Sequence, residues 1–166
     1  MNEQPRFTPR AMLRSLTDGG VRFVVVGGLA AQAHGSSSLT TGLDICYERG
    51  SENLQRLAAA LQGLGAIRRG SPEYAASPLD ARALLAGDEF TLTTIAGVLD
   101  LLGNPGPGMT FESLRMNAIE VPVDGVTVIV AGLDDLMAMK RAAGRPKDRI
   151  ELEILGALRE EIDRRG

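Results

Sequence analysis

Near its N-terminus the chain reads Val24-Val25-Val26-Gly27-Gly28-Leu29-Ala30-Ala31-Gln32-Ala33. The β-branched run from Val21 to Val26 predicts a strand, and the two glycines after it predict a tight turn. The alanine-rich run that follows has the composition of a helix. Glycine lets a ligand approach the backbone closely, and the first N–H groups of a helix are unpaired and carry a partial positive charge. We therefore expect a phosphate group to bind at Gly27 and Gly28.

The spacing after these glycines differs from that of a dinucleotide-binding fold, which needs G-x-G-x-x-G and an acidic residue about twenty residues further on. Instead, a polar turn over residues 35–38 leads into a predicted strand from Leu39 to Tyr47, in which Asp44 has apolar neighbours. Residues two apart on a strand share a face, so a D-x-D pair would place two carboxylates side by side, as divalent metals require. Gly42 occupies the first position of such a pair.

Asp100 is a further candidate carboxylate. The β-forming runs Phe90–Thr94 and Val98–Leu102 flank a short turn that contains Gly97, and together they predict a hairpin. Asp100 interrupts an otherwise apolar run, and a buried carboxylate is costly unless it is paired or bound to a metal. The alternative is an Asp at the end of a strand that simply points at solvent.

With this Gly-Gly turn and the Asp44 segment, the sequence resembles the nucleotidyltransferase-fold superfamily, and within it the small bacterial members of the AbiEii or MNT kind. Their signature joins Gly-Gly or Gly-Ser to a later Asp-x-Asp, with a third Asp on a further strand. The positions that match this pattern are Gly27, Gly28, Ala30, His34, Gly35, Thr40, Leu43, Asp44 and Ile45. The chain departs from the pattern at Ser38, where Arg is common, and at Gly42.

The resemblance covers about Val21 to Asp148 and implies an α/β (α+β) fold, with a nucleotidyltransferase-like mixed sheet flanked by helices. It implies transfer of a nucleoside monophosphate from a nucleoside triphosphate (NTP) to a hydroxyl of RNA (tRNA) or protein. Mg²⁺ or Mn²⁺ would be the cofactor, with Asp44 and Asp100 as metal ligands and catalytic residues. Two such ions about 3.5–4 Å apart would activate the hydroxyl and stabilise the leaving oxygens.

The segment from Leu133 to Asp148 predicts an amphipathic helix that stops at Gly144, with Pro146 in the first turn of the next helix. By itself this is an ordinary connection between two helices with charged ends. In the resembling family the matching segment faces the triphosphate. The resemblance therefore implies a catalytic role for Lys140 and a nucleotide-binding set that comprises Gly27, Gly28, Thr41, Lys140, Arg145, Lys147 and Asp148.

Three interpretations of Gly42 stay open. The protein is a weak enzyme in which water or another carboxylate replaces the lost ligand, or a catalytically inactive module that binds nucleotide or a partner, or a protein inactivated by an engineered change. Glu48 shares a strand face with Asp44, but four residues of strand place it about 13 Å away. The inactive module would pair with a cognate toxin or antitoxin. A further possibility is a plain interaction domain whose Gly-Gly turn is only structural.

The remaining reactive side chains suggest structural roles. His34 is the only histidine and lies on a short alanine-rich helix, where packing or capping is the more common role. Cys46 is the only cysteine and is predicted in a buried strand, so we expect it in the core. A single cysteine excludes an internal disulfide, which fits a reducing cytoplasm.

Composition predicts one globular domain over residues 1–166, since the chain is long enough to bury a core and 44% of its residues are hydrophobic. We see no signal peptide, membrane span or internal repeat. The net charge of -3 makes the whole chain a poor electrostatic binder of nucleic acid. Local basic clusters that could contact the end of a tRNA are Arg68 with Arg69, and Arg141, Arg145, Lys147 and Arg149.

Local signals predict the other elements. Thr8 and Ser51 are candidate caps for helices that run to Ser15 and over residues 52–62. Residues 70–79 and 103–108 read as loops, and residues 80–85 as a short helix. Residues 119–123 and 126–130 predict a hairpin with the favourable turn Asp124-Gly125.

Overall fold

The computed structural model describes residues 6–166, and within them the chain forms seven strands and eight helices. The strands are β1 (Phe23–Val26), β2 (Gly42–Tyr47), β3 (Ile67–Arg68), β4 (Glu89–Thr94), β5 (Gly97–Leu102), β6 (Ile119–Val123) and β7 (Val126–Val130). The helices are α1 (Pro9–Asp18), α2 (Gly27–Ala33), α3 (Ser51–Gly63), α4 (Pro72–Ala75), α5 (Ala81–Ala86), α6 (Phe111–Asn117), α7 (Leu133–Ala143) and α8 (Pro146–Arg165).

All seven strands join one mixed sheet in the order β3-β4-β5-β2-β1-β7-β6. β2 runs parallel to β5 and antiparallel to β1, and β1 in turn runs parallel to β7. The α/β class and the mixed sheet predicted from the sequence are thus confirmed. The pairing of β2 with β5 is the one that matters for the site, because it joins two segments that are far apart in sequence.

The two predicted hairpins are confirmed. Asp124 and Gly125 both have positive φ, at 50° and 82°, as the two central residues of a type I′ turn require. In the β4–β5 hairpin only Ile95 and Ala96 lie outside the ladder, because Gly97 already pairs with Thr94. The hydroxyl of Thr94 donates to the Gly97 carbonyl at 2.8 Å and accepts from the Ala96 N–H at 3.0 Å, which closes this turn.

The predicted start of β2 at Leu39 is wrong. The strand begins at Gly42, and the Leu39 side chain is 95% exposed. Polar side chains hold the preceding backbone out of the ladder: Gln32 Nε2 donates to the Ser38 carbonyl at 2.7 Å, and the Ser38 N–H donates to Ser36 Oγ at 3.2 Å. Residues 36–41 therefore form a loop.

Neither predicted cap makes a capping hydrogen bond with its side chain. Thr8 does occupy the N-cap position of α1, but its hydroxyl donates to the Arg6 carbonyl, and α1 runs past Ser15 to Asp18. Ser51 is the first residue of α3 and follows the true N-cap position at Gly50.

The sequence analysis missed two short helices. The predicted loop over residues 70–79 contains α4, where Ser71 Oγ accepts from the Tyr74 N–H. α6 carries a reciprocal capping box between Thr110 and Ser113, which is a variant of the usual Glu-containing pattern. Both helices are too short for a hydrophobic periodicity to stand out in the sequence.

The two faces of β5 differ, and this difference positions the site. Leu99 and Leu101 are fully buried in the core, whereas Val98, Asp100 and Leu102 on the other face are only half-buried. α2 packs on β1 and β2 and against α7, which packs against α8. The face that carries Asp100 thus borders a helical wall.

Candidate functional site

Asp44 and Asp100 are directly opposite partners in the parallel β2–β5 ladder. In-register neighbours on adjacent strands project from the same face, so the two carboxyl groups lie side by side. Burial raises the pKa of Asp44 to about 7, and hydrogen bonding and repulsion from Asp100 raise it too, while Lys140 and Lys147 oppose the shift. Oδ1 of Asp100 is buried and has no hydrogen-bond partner among the described residues. The negative charge of the two carboxyl groups is therefore not fully neutralised by the neighbouring lysines.

Gly27 and Gly28 let the chain pass directly beneath these side chains. A Cβ at Gly27 would overlap Oδ2 of Asp44, and its φ of +68° is one that side chains disfavour. A Cβ at Gly28 would lie 2.9 Å from Cβ of Thr40. Both glycines are therefore required by close packing against Asp44 and Thr40. α2 begins at Gly27 itself, and both glycines line the cavity over Asp44.

A cavity of about 550 Å³ opens over the two aspartates. Its walls come from the β1–α2 turn, the loop before β2, the strands β4 and β5, and the helices α7 and α8. Every site residue proposed from the sequence lines it, namely Gly27, Gly28, Thr41, Asp44, Asp100, Lys140, Arg145, Lys147 and Asp148. The structure therefore brings the whole predicted set together.

The basic wall of this cavity is built around Asp148. α7 ends at Gly144 with φ +63°, and Pro146 begins α8, as the sequence predicted. The fully buried Asp148 accepts from the Arg145 backbone N–H at 3.1 Å, from Arg145 Nε at 2.6 Å and from Lys140 Nζ at 3.4 Å. These hydrogen bonds, chiefly from Arg145, lower the pKa of Asp148 to about 2. Asp148 thus holds two cations at the cavity wall.

Position 42 is closed to a side chain by the neighbouring strand. A Cβ there would lie 2.9 Å from the backbone oxygen of Val98, its partner on β5, and 3.3 Å from Cβ of Val98. Thr40 Oγ1 donates to the Gly42 carbonyl at 2.9 Å, and this hydrogen bond further restrains the backbone at position 42. A carboxylate at position 42 would need β2 and β5 to separate slightly.

Glu48 does not line the cavity over Asp44 and Asp100. It forms an ion pair with Arg22 and lines a different cavity. Within residues 6–166, no three His, Cys, Asp or Glu side chains are close enough together to hold a metal ion as they stand. Asp44 and Asp100 are the two carboxylates that lie side by side in the cavity.

The sequence analysis missed two carboxylates that line the Asp44 cavity, Glu89 on β4 and Glu151 on α8. Glu89 immediately precedes the predicted strand Phe90–Thr94, but only the antiparallel register shows that it shares a face with Asp100. Glu151 follows Asp148 by three residues in one helix, a spacing that would have suggested a shared face.

His34 and Cys46 have structural environments. His34 ends α2, and its Nε2 lies 2.8 Å from the Ala131 carbonyl oxygen, as expected for a packed or capping residue. Cys46 is a buried free thiol, and burial raises its pKa to about 12. Over the described part of the chain, no helix has the length and apolar character needed to cross a membrane.

No protein-family model and no curated protein sequence matches the chain. Solved structures do match its fold. LnuA, a lincosamide antibiotic adenylyltransferase solved with lincomycin bound, has a TM-score of 0.62 at 12% identity, over 92% of this chain and 99% of its own. ANT(2'')-Ia, solved in complex with adenylyl-2''-tobramycin, has a TM-score of 0.57 at 14% identity, over 94% of this chain and 95% of its own. The chain therefore has the fold of these nucleotidyltransferases.

Proposed function

We propose that the protein is a nucleotidyltransferase that moves a nucleoside monophosphate from an NTP to an acceptor hydroxyl. The observation that carries this proposal is the placement of two adjacent carboxyl groups opposite Lys140, Arg145 and Lys147 in one cavity. Carboxylates suit a divalent cation, and the cations suit a triphosphate. The fold shared with two adenylyltransferase structures agrees with this chemistry.

The residues present fit a divalent cation, for which we propose Mg²⁺ or Mn²⁺. The buried Oδ1 of Asp100 lacks a partner, and Asp44 is held partly protonated beside it. A cation held by these two residues would offset the negative charge of both carboxylates. When bound, this ion would supply positive charge to the α-phosphate and lower the pKa of the attacking hydroxyl. Asp44 and Asp100 are the residues that would hold it.

The chain's own residues would orient the triphosphate for an in-line displacement. Lys147 contributes a flexible point charge, while Lys140 and Arg145 are fixed by Asp148. Gly27 and Gly28 allow a phosphate to approach the backbone. The acceptor hydroxyl releases its proton to solvent, its oxygen forms a bond to the α-phosphorus, the bond from the α-phosphorus to the bridging oxygen breaks, and pyrophosphate leaves.

For the acceptor we propose a hydroxyl of RNA, such as tRNA, or of a protein, in keeping with the resemblance to small AbiEii and MNT proteins. A toxin–antitoxin pair in the cytoplasm, where NTPs are abundant, is the setting that this proposal favours. LnuA was solved with lincomycin, and ANT(2'')-Ia was solved with adenylyl-2''-tobramycin. A small compound that carries a hydroxyl group should therefore be tested as an acceptor beside RNA and protein.

The test is transfer of an α-phosphate label from each NTP, with Mg²⁺, to total tRNA, to a protein extract, to lincomycin and to tobramycin. Label in one of these acceptors that disappears in Asp44→Asn and Asp100→Asn would support the proposal. Label that survives in both variants would contradict the assignment of these aspartates.

The closed position at Gly42 favours a second candidate function. A chain whose backbone packs against the site of the missing carboxylate is suited to bind nucleotide, or a cognate toxin or antitoxin, with little turnover. This candidate predicts nucleotide binding without label transfer to any acceptor. A toxin or antitoxin gene beside the gene of this chain would support the setting that both candidates share, and the label assay distinguishes the two.

A further inference from the structure

Glu89 lies next to the aspartate pair on the far side of Asp100. In the antiparallel β4–β5 ladder Glu89 is opposite Leu102, and Thr91 is opposite Asp100. Opposed residues share a face, so Glu89 and Asp100 are diagonal neighbours on the same face of the sheet. Such neighbours are about 7–8 Å apart and within reach of a long side chain. Asp100 is thus flanked by Asp44 on one strand and by Glu89 on the other.

The Glu89 carboxylate is available for a ligand. The residue is exposed, lines the Asp44 cavity, and forms no side-chain hydrogen bond or ion pair with any described residue. Glu48 is paired with Arg22. Glu151 has no ion pair with a described residue either, but it lies on α8 one helical turn from Lys147, whereas Glu89 lies on the strand next to Asp100.

We propose that Glu89 is the third acidic ligand of the divalent cation, in place of the carboxylate that Gly42 lacks. The inference rests on the proposed function, since it presupposes a cation at Asp44 and Asp100. Mg²⁺ and Mn²⁺ prefer oxygen ligands, and a rotation of the exposed Glu89 side chain would add one beside Asp100. The cation site is then centred on Asp100 and extends toward β4, away from position 42.

Gly42 and Glu89 lie toward opposite ends of β5 relative to Asp100. Gly42 pairs with Val98, which lies two residues before Asp100, whereas Glu89 pairs with Leu102, two residues after it. Glu89 therefore adds a ligand without needing the space that the Val98 backbone oxygen closes at position 42.

The experiment measures binding of Mn²⁺ alone, by the loss of the free-ion electron paramagnetic resonance signal, to the wild type and to Glu89→Gln, Glu89→Asp, Glu151→Gln and Asp44→Asn. Glu89→Gln should raise the Mn²⁺ dissociation constant about tenfold or more. Glu89→Asp, with its shorter side chain, should fall between Gln and the wild type. Glu151→Gln is the matched control in the same cavity and should bind as the wild type does.

Unchanged Mn²⁺ binding in Glu89→Gln, together with a clear loss in Asp44→Asn, would overturn the inference and leave the proposed function standing. Unchanged binding in Asp44→Asn would instead contradict the proposed site. A wild type that binds no Mn²⁺ would overturn the role of Glu89, and nucleotide binding would then decide the proposed function. Because Glu89 is exposed, the metal-free variant should unfold at the temperature of the wild type, which checks that its fold is intact.

Discussion

Asp148 is fully buried and yet ionised, because Arg145 and Lys140 donate to it. A buried carboxylate without such donors would be protonated. Its two partners are partly exposed, with 59% of the Arg145 side chain and 27% of the Lys140 side chain accessible, so water screens them. We therefore expect Asp148 to act mainly by fixing the geometry of these cations.

Replacing Asp148 with Asn should remove the anchor of both cations. We expect a loss of about 1–3 kcal/mol in the free energy of unfolding, since hydrogen bonds between charged groups are lost, and weaker NTP binding. The pKa of Asp148 is lowered from 3.8 to about 2, so its stabilisation is present above pH 3.8 and disappears as the pH falls through about 2. Urea unfolding across this range should show the fall in the wild type and a smaller fall in the variant. An equal fall in both would refute this role.

The raised pKa of Asp44 predicts pH-dependent metal binding. Its pKa moves from 3.8 to about 7, so without metal this group contributes stability that is complete below pH 3.8 and is lost as the pH rises through about 7. A cation binds the ionised form, so the affinity for Mn²⁺ should increase as the pH rises toward 7 and then level off. Calorimetric titrations at several pH values would measure this. An affinity that does not change between mildly acidic and neutral pH would count against Asp44 as a ligand.

Position 42 provides a paired test. Gly42→Ala and Gly42→Asp both force a Cβ against the Val98 backbone oxygen, so both should lose about 1–3 kcal/mol of unfolding free energy. Only the Asp variant gains a carboxylate on the face of Asp44, so it should bind Mn²⁺ more tightly and show higher transfer activity than the Ala variant. If the two variants bind Mn²⁺ equally, the assignment of position 42 to the site is incorrect.

At the scale of elements, the β1–α2 turn needs glycine at positions 27 and 28 because it packs closely against Asp44 and Thr40. Gly27→Ala should lose about 1–3 kcal/mol, because it places a methyl group on Oδ2 of Asp44 at a positive φ, and NTP binding should be lost with it. Gly63→Ala near the end of α3 is the control, since nothing lies within 4 Å of its added Cβ. It should be neutral or stabilising by about 0.5–1 kcal/mol. Thermal unfolding of both variants, with and without NTP, would show whether the two glycines differ as expected.

Elements with strong local signals could be predicted from the sequence, and elements set by tertiary contacts could not. Asp124-Gly125 needs positive φ at both positions and specifies its hairpin locally. The start of β2 depends on a hydrogen bond that Gln32 donates to the Ser38 carbonyl and on one that Ser36 Oγ accepts from the Ser38 N–H, and composition does not show either. The Asp44–Asp100 register and the position of Glu89 depend on strand pairing across long stretches of chain. The identity of the candidate site residues could therefore be predicted from the sequence. Their arrangement, and the presence of Glu89 and Glu151 in the same cavity, could not.

At the scale of the whole molecule, the net charge is -3, while three basic residues line the cavity over the aspartates. An anionic protein attracts a triphosphate only through such a local cluster. The fold supplies this cluster by placing α7 and α8 at the cavity over the β2–β5 pair. The structural match with the adenylyltransferase LnuA extends over nearly the whole LnuA chain. We therefore propose that a nucleotide and a cation bind together in this cavity.

Thermal unfolding with Mg²⁺ and each of ATP, GTP, CTP and UTP would detect joint binding of nucleotide and cation, and it needs no knowledge of the acceptor. A ligand at a hundred times its dissociation constant adds about 2.7 kcal/mol, or about 5–10 °C for a chain of this size. We predict a shift of this order for at least one NTP in the wild type, a smaller shift without Mg²⁺, and a smaller one in Asp44→Asn. No shift with any NTP, or an equal shift in Asp44→Asn, would contradict the joint site.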